Sequence, residues 1–94
     1  MSTERMTARV TGRVQGVGFR WWIRRHGQRL GLTGWVMNAD DERSVEVVAE
    51  GDATSLDELE RLLKSGPDGA RVESVEIRRG PASGEFEPFE VVRS

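Results

Sequence analysis

The hydrophobic period of this chain changes abruptly across one short glycine turn, and few folds accommodate such a change. Met6, Ala8, Val10, Gly12 and Val14 share one parity, while Thr7, Arg9, Thr11 and Arg13 take the other. That alternation describes a strand with one buried and one wet face. From Phe19 the spacing becomes helical, with Phe19, Trp22, Ile23, His26, Gly27 and Leu30 in one stripe and Arg24, Arg25, Gln28 and Arg29 opposite. Gln15-Gly16-Val17-Gly18 joins the two. The first turn of a helix entered this way has amides without intrahelical partners, and the aligned peptide dipoles put positive charge there. A phosphate suits that place. Glycines let successive N–H groups curl into a concave nest. Arg20 adds a guanidinium whose planar fork holds two phosphoryl oxygens at once.

Gly-x-Gly between a strand and a helix is also a common plain connection, so the glycines alone do not specify a ligand. The nucleotide motifs fit poorly: no Gly-Lys-Ser/Thr follows, and Trp21 stands where a dinucleotide fingerprint needs a third small residue. The longer run Gly12-Arg13-Val14-Gln15-Gly16-Val17-Gly18-Phe19-Arg20 resembles the first signature of the acylphosphatases, small enzymes that hydrolyse the carboxyl-phosphate bond. Every fixed position is filled. The resemblance extends over residues 6–94 as a single domain, with residues 1–5 as a short N-terminal extension. It implies that the main chain of Gln15, Gly16, Val17, Gly18 and Phe19, with Arg20, binds the phosphoryl group.

Downstream, Thr33 to Asn38 and Ser44 to Glu50 read as strands joined by the polar turn Ala39 to Arg43, and Gly31 is placed to cap the preceding helix. Ser55 and Glu58 have capping-box spacing ahead of Leu56, Leu59, Leu62 and Leu63, a second helix that Gly66-Pro67 stops. Ser74 to Arg78 reads as a fourth strand. Phe89 to Val92 reads as a fifth, and Pro88 argues for an edge position because it cannot donate to a ladder. The order βαββαβ with an extra C-terminal strand predicts an α+β, ferredoxin-like sandwich, with two helices on one face of a mainly antiparallel sheet. The family resemblance implies the same fold.

In such a unit the first two strands run parallel with the third between them, so their C-terminal ends share an edge about 10 Å apart. The polar residue at the end of the second strand is Asn38. An asparagine before a turn commonly serves turn geometry. However, Gly34-Trp35-Val36-Met37-Asn38 resembles the family's second signature, whose asparagine positions the attacking water. The resemblance therefore implies a catalytic pair, Arg20 and Asn38. One departure stands out: the family usually has three residues and then glycine after this asparagine. Here Ala39-Asp40-Asp41-Glu42-Arg43-Ser44 contains no glycine and is one residue longer, so a different hairpin turn is expected.

Composition excludes more than it proposes. The net charge is −2, whereas a general nucleic-acid binder would carry a basic excess. No cysteine is present, which removes disulfides, thiolate metal sites and a cysteine phosphatase. No signal-like or membrane-length apolar run occurs, so a cytoplasmic location is expected. Asp40 and Asp41 read as a solvated turn rather than a Mg²⁺ site, His26 as structural, and the three tryptophans as core or loop supports. No metal and no cofactor are expected. The predicted substrate is a small acyl phosphate, with inorganic phosphate as product, no nucleic-acid or membrane partner, and a monomeric, independent enzyme. Two rivals share the fold: an RNA-binding module, to whose aromatic motif Gly16-Val17-Gly18-Phe19 bears a faint likeness, and a non-catalytic phosphate-binding domain.

Overall fold

The computed structural model describes residues 3–92. β1 (Thr3–Arg13), α1 (Phe19–Arg29), β2 (Thr33–Asn38), β3 (Ser44–Asp52), α2 (Ala53–Ser65), β4 (Arg71–Pro81) and β5 (Glu90–Val91) follow in that order. The sheet runs β4-β1-β3-β2-β5. β3 is antiparallel to both β1 and β2, and β5 lies parallel to β2 at one edge. This is the ferredoxin-like α+β sandwich, with β1 and β2 parallel across β3. Their C-terminal ends therefore meet at one rim of the sheet.

Both periods are realised. On β1 Met6, Ala8, Val10 and Gly12 are buried and the residues between them are not. On α1 Phe19, Ile23 and Gly27 face inward. They meet Val36 of β2, Val45 and Val47 of β3, and Leu56, Leu59 and Leu63 of α2 in one core. α1 ends in a Schellman cap: Leu32 N–H donates to Gly27 O at 2.9 Å and Gly31 N–H to Gln28 O at 3.1 Å, with Gly31 at φ 72.

Five elements, β1, β3, β4, β5 and α2, differ at their ends from the sequence expectation. β1 starts at Thr3, and β4 spans eleven residues, because the two long strands pair along their length. A bulge at Glu73, between the pairs Thr11↔Ser74 and Gly12↔Val72, obscures the alternation of β4. β5 is only Glu90–Val91, since Phe89 is drawn into the core. The capping box at Ser55 and Glu58 does not form. β3 runs straight to Asp52, so α2 starts at Ala53 with Ser55 already inside it, and Glu58 instead accepts two hydrogen bonds from Arg61 at 2.8 and 2.7 Å.

Candidate active site

The loop after β1 has the shape its glycines allow. Gly16 and Gly18 both adopt left-handed φ, at 74 and 77, and Gly18 is the N-cap of α1 without any side-chain cap. A side chain with an oxygen at that position would occupy the first-turn amides; glycine leaves them open. Among the described residues, no main-chain hydrogen bond outside the helices and strands draws on an amide from Gln15 to Trp21, and the ladder of α1 begins with Trp22, which donates to Gly18 O at 3.0 Å. Phe19 anchors the helix start in the core at 1% exposure.

Arg20 follows on the first turn of α1. Arg9 pairs with Asp41 at 3.0 Å and Arg43 with Glu73 at 2.6 Å. Arg20 has no ion-pair or hydrogen-bond partner among the described residues. Asn38 ends β2 on the core-facing parity, in the same row as Val45 of β3 and Val10 of β1. Its Oδ1 is the single buried side-chain polar atom that finds no hydrogen-bond partner among the described residues. Leaving such an oxygen unsatisfied costs roughly 1–3 kcal/mol, so its retention at the rim beside the glycine loop calls for a ligand or a solvent molecule.

The Gln15 side chain joins the two halves of the site. Its Nε2 donates to Ala39 O at 3.2 Å and Ser44 O at 2.9 Å, while Ala39 N–H donates to the same Ser44 carbonyl at 2.9 Å. The glycine loop is thus tied directly to the residue after Asn38. Sequence reasoning assigned Gln15 only a main-chain role; a buried-side amide beside two turn carbonyls has no signature in spacing.

The longer hairpin turn is built around Asp41. Oδ1 accepts from the N–H of Arg43 at 3.0 Å and of Ser44 at 2.9 Å, and Oδ2 accepts from Ser44 Oγ at 2.8 Å and Arg9 at 3.0 Å. The Arg43 amide, and next the Ser44 hydroxyl, pull the Asp41 carboxyl down to about 2. Glu42, at φ 61, takes the left-handed conformation that a glycine would ordinarily supply. Asp41 is therefore a turn scaffold. No cluster with metal-ligating composition occurs among the described residues.

His26 stacks edge-on against Trp22 at 4.9 Å, and its Nδ1 accepts from Arg29 at 3.1 Å. Desolvation, then Arg29 and Arg25, lower its pKa. Trp22 and Trp35 are half-buried, whereas Trp21 is 59% exposed, which overturns a core role for it and leaves that of a residue beside the loop. The helix-free face of the sheet carries Trp35 and Val48 among Arg9, Glu46, Glu76 and Arg78, a mixed surface without the aromatic pair on central strands that base stacking needs.

Fold and rim together define a class: a ferredoxin-like α+β domain with an open glycine loop, a free guanidinium and an unpartnered carboxamide at one sheet edge. The acylphosphatase family model matches residues 6–91. An acylphosphatase of Thermobifida fusca is 53% identical over 96% of this chain and 98% of its own length. One of Rubrobacter xylanophilus is 52% identical over 95% of this chain and 80% of its own. The crystal structure of acylphosphatase from Bacillus subtilis superposes with a TM-score of 0.89 at 31% identity, covering 95% of this chain and 98% of that one. The chain belongs to the acylphosphatase family, hydrolases acting on acyl phosphates. Neither the RNA-binding nor the non-catalytic alternative is favoured.

Proposed function

We propose that hydrolysis proceeds by direct attack of water on phosphorus, with Arg20 and Asn38 as the catalytic pair. The amides of Gln15, Gly16, Val17, Gly18 and Phe19, with the Arg20 guanidinium, grip the three phosphoryl oxygens and stabilise the charge that builds on them in the transition state. Asn38 Oδ1 accepts a hydrogen bond from the attacking water and aims it. The water oxygen bonds to phosphorus as the phosphorus–oxygen bond to the acyl group breaks. The electron pair leaves with the carboxylate, a weak base that needs no strong general acid. A phosphoryl oxygen takes the water's proton, because no side chain of the loop is a credible base or covalent nucleophile.

The observation that carries this reading is the buried, unpartnered Oδ1 of Asn38 at the rim that also holds the amide loop. The substrate is a small acyl phosphate and the product inorganic phosphate. The enzyme acts as a monomer in the cytoplasm, without metal, cofactor, nucleic acid or membrane; the slight net charge of −2 supports the absence of a polyanionic partner. Hydrolysis of an acyl phosphate beside a phosphate monoester, both with chelator present, tests the reading. Selective turnover of the acyl phosphate is expected, and preference for the monoester or loss of activity with chelator overturns it.

A further inference from the structure

Beside the glycine loop, a cleft of about 280 Å³ is lined by Gly18, Trp21, Trp22, Arg25 and Pro67. It joins the loop through Gly18 and is bordered on its other side by Pro67, just beyond α2. Trp21, Trp22 and Arg25 lie on α1, which packs on β2, the strand that ends in Asn38, and Pro67 follows α2. In-line displacement sends the leaving carboxylate away from the attacking water. The cleft adjoins the loop at Gly18, within reach of the acyl end of a substrate held there. Its walls are mostly carbon, and Trp21 stands 59% exposed although burying an indole elsewhere would be favourable. Arg24 sits 5.7 Å from the centroid of the Trp21 ring and helps to hold it upright. A dry cavity of roughly 150 Å³ takes a benzene molecule, so this one has room for a ring.

We infer that Trp21 and this cleft form the acyl-binding subsite, selecting acyl phosphates with a flat, apolar acyl group over those with a short one. The inference rests on the phosphoryl group occupying the loop as proposed above. Trp21 touches the acyl group equally before and during bond breaking, so its contribution enters KM rather than kcat.

Steady-state kinetics with benzoyl phosphate and acetyl phosphate test it in wild type, Trp21→Ala, Trp21→Phe and Arg20→Gln. Trp21→Ala should raise KM for benzoyl phosphate roughly three- to tenfold with kcat kept, leaving acetyl phosphate and inhibition by inorganic phosphate unchanged. Trp21→Phe should restore most of the preference. Equal changes for both substrates, or none, would overturn the subsite. Retained turnover in Arg20→Gln would instead sink the phosphoryl-site reading beneath it, so the two failures are distinguishable.

Discussion

The side-chain amide of Gln15 lies 3.2 Å from the carbonyl of Ala39, the residue that follows Asn38, so the loop before α1 and the end of β2 are held in mutual register. Gln15→Ala keeps the main-chain amide of the loop and removes only this tie. Its kcat on an acyl phosphate should fall about ten- to a hundredfold, as expected when a reacting group loses its aim. Competitive inhibition by inorganic phosphate should be nearly unchanged, and a large loss of phosphate affinity would count against the positioning role.

Arg20→Gln removes both charge and fork. Turnover should fall by about a thousandfold or more, and inorganic phosphate should inhibit weakly. Asn38→Ala should separate the two functions, with kcat down by about a hundredfold or more while phosphate still competes. Near-normal turnover in either variant would contradict the assigned roles.

Glu42 holds a left-handed backbone that glycine adopts without strain. Glu42→Gly should stabilise the fold by about 1 kcal/mol, read as a rise in Tm of roughly 4–8 °C for a domain of this size. A fall in Tm would mean that the Glu42 side chain contributes more than its conformation costs.

Glu50 on β3 is 4% exposed and serves as an internal staple for the segment between β4 and β5. It accepts from the N–H groups of Ser83 and Gly84, each at 2.9 Å, from Ser83 Oγ at 2.9 Å, and from Arg5 at 2.9 Å. Burial alone would raise this carboxyl, but the two amides, Arg5 and the hydroxyl outweigh it and bring it down to about 2. A folded pKa below the unfolded value near 4.5 gives stability that is full above that pH and lost as pH falls toward about 2. Glu50→Gln should destabilise the protein by roughly 2–3 kcal/mol at neutral pH. Chemical denaturation between pH 6 and 2.5 should show a flatter slope than wild type; an unchanged slope would refute the staple.

What could be read from residues alone follows the physics of each element. β1 and α1 declare themselves because one face of each is buried, so their periods of 2 and 3.6 survive in the sequence. The glycines at 16 and 18 are likewise legible, since few other residues take positive φ. β4 is legible only at its centre, because it is an edge strand whose bulge at Glu73 breaks the alternation. The start of α2 has no signal in the sequence, because Asp52 both ends a strand and caps the helix with no connecting turn to mark it. At the rim, Arg20 and Asn38 stand in signature runs, whereas the Gln15 tie depends on turn carbonyls 24 and 29 residues away and the Asp41 scaffold on turn amides, neither of which carries a sequence label.

Gly27 is the one inward position on α1 without a side chain, and a Cβ there would stand 2.7 Å from the Phe89 ring. The ring fills that notch, and the Phe89 carbonyl accepts from Gln28 Nε2 at 2.9 Å. Phe89 is thereby bolted to the helix whose opening turn forms the proposed phosphoryl site. Gly27→Ala should consequently be felt at the opposite pole of that rod, as slower turnover in a protein that still folds.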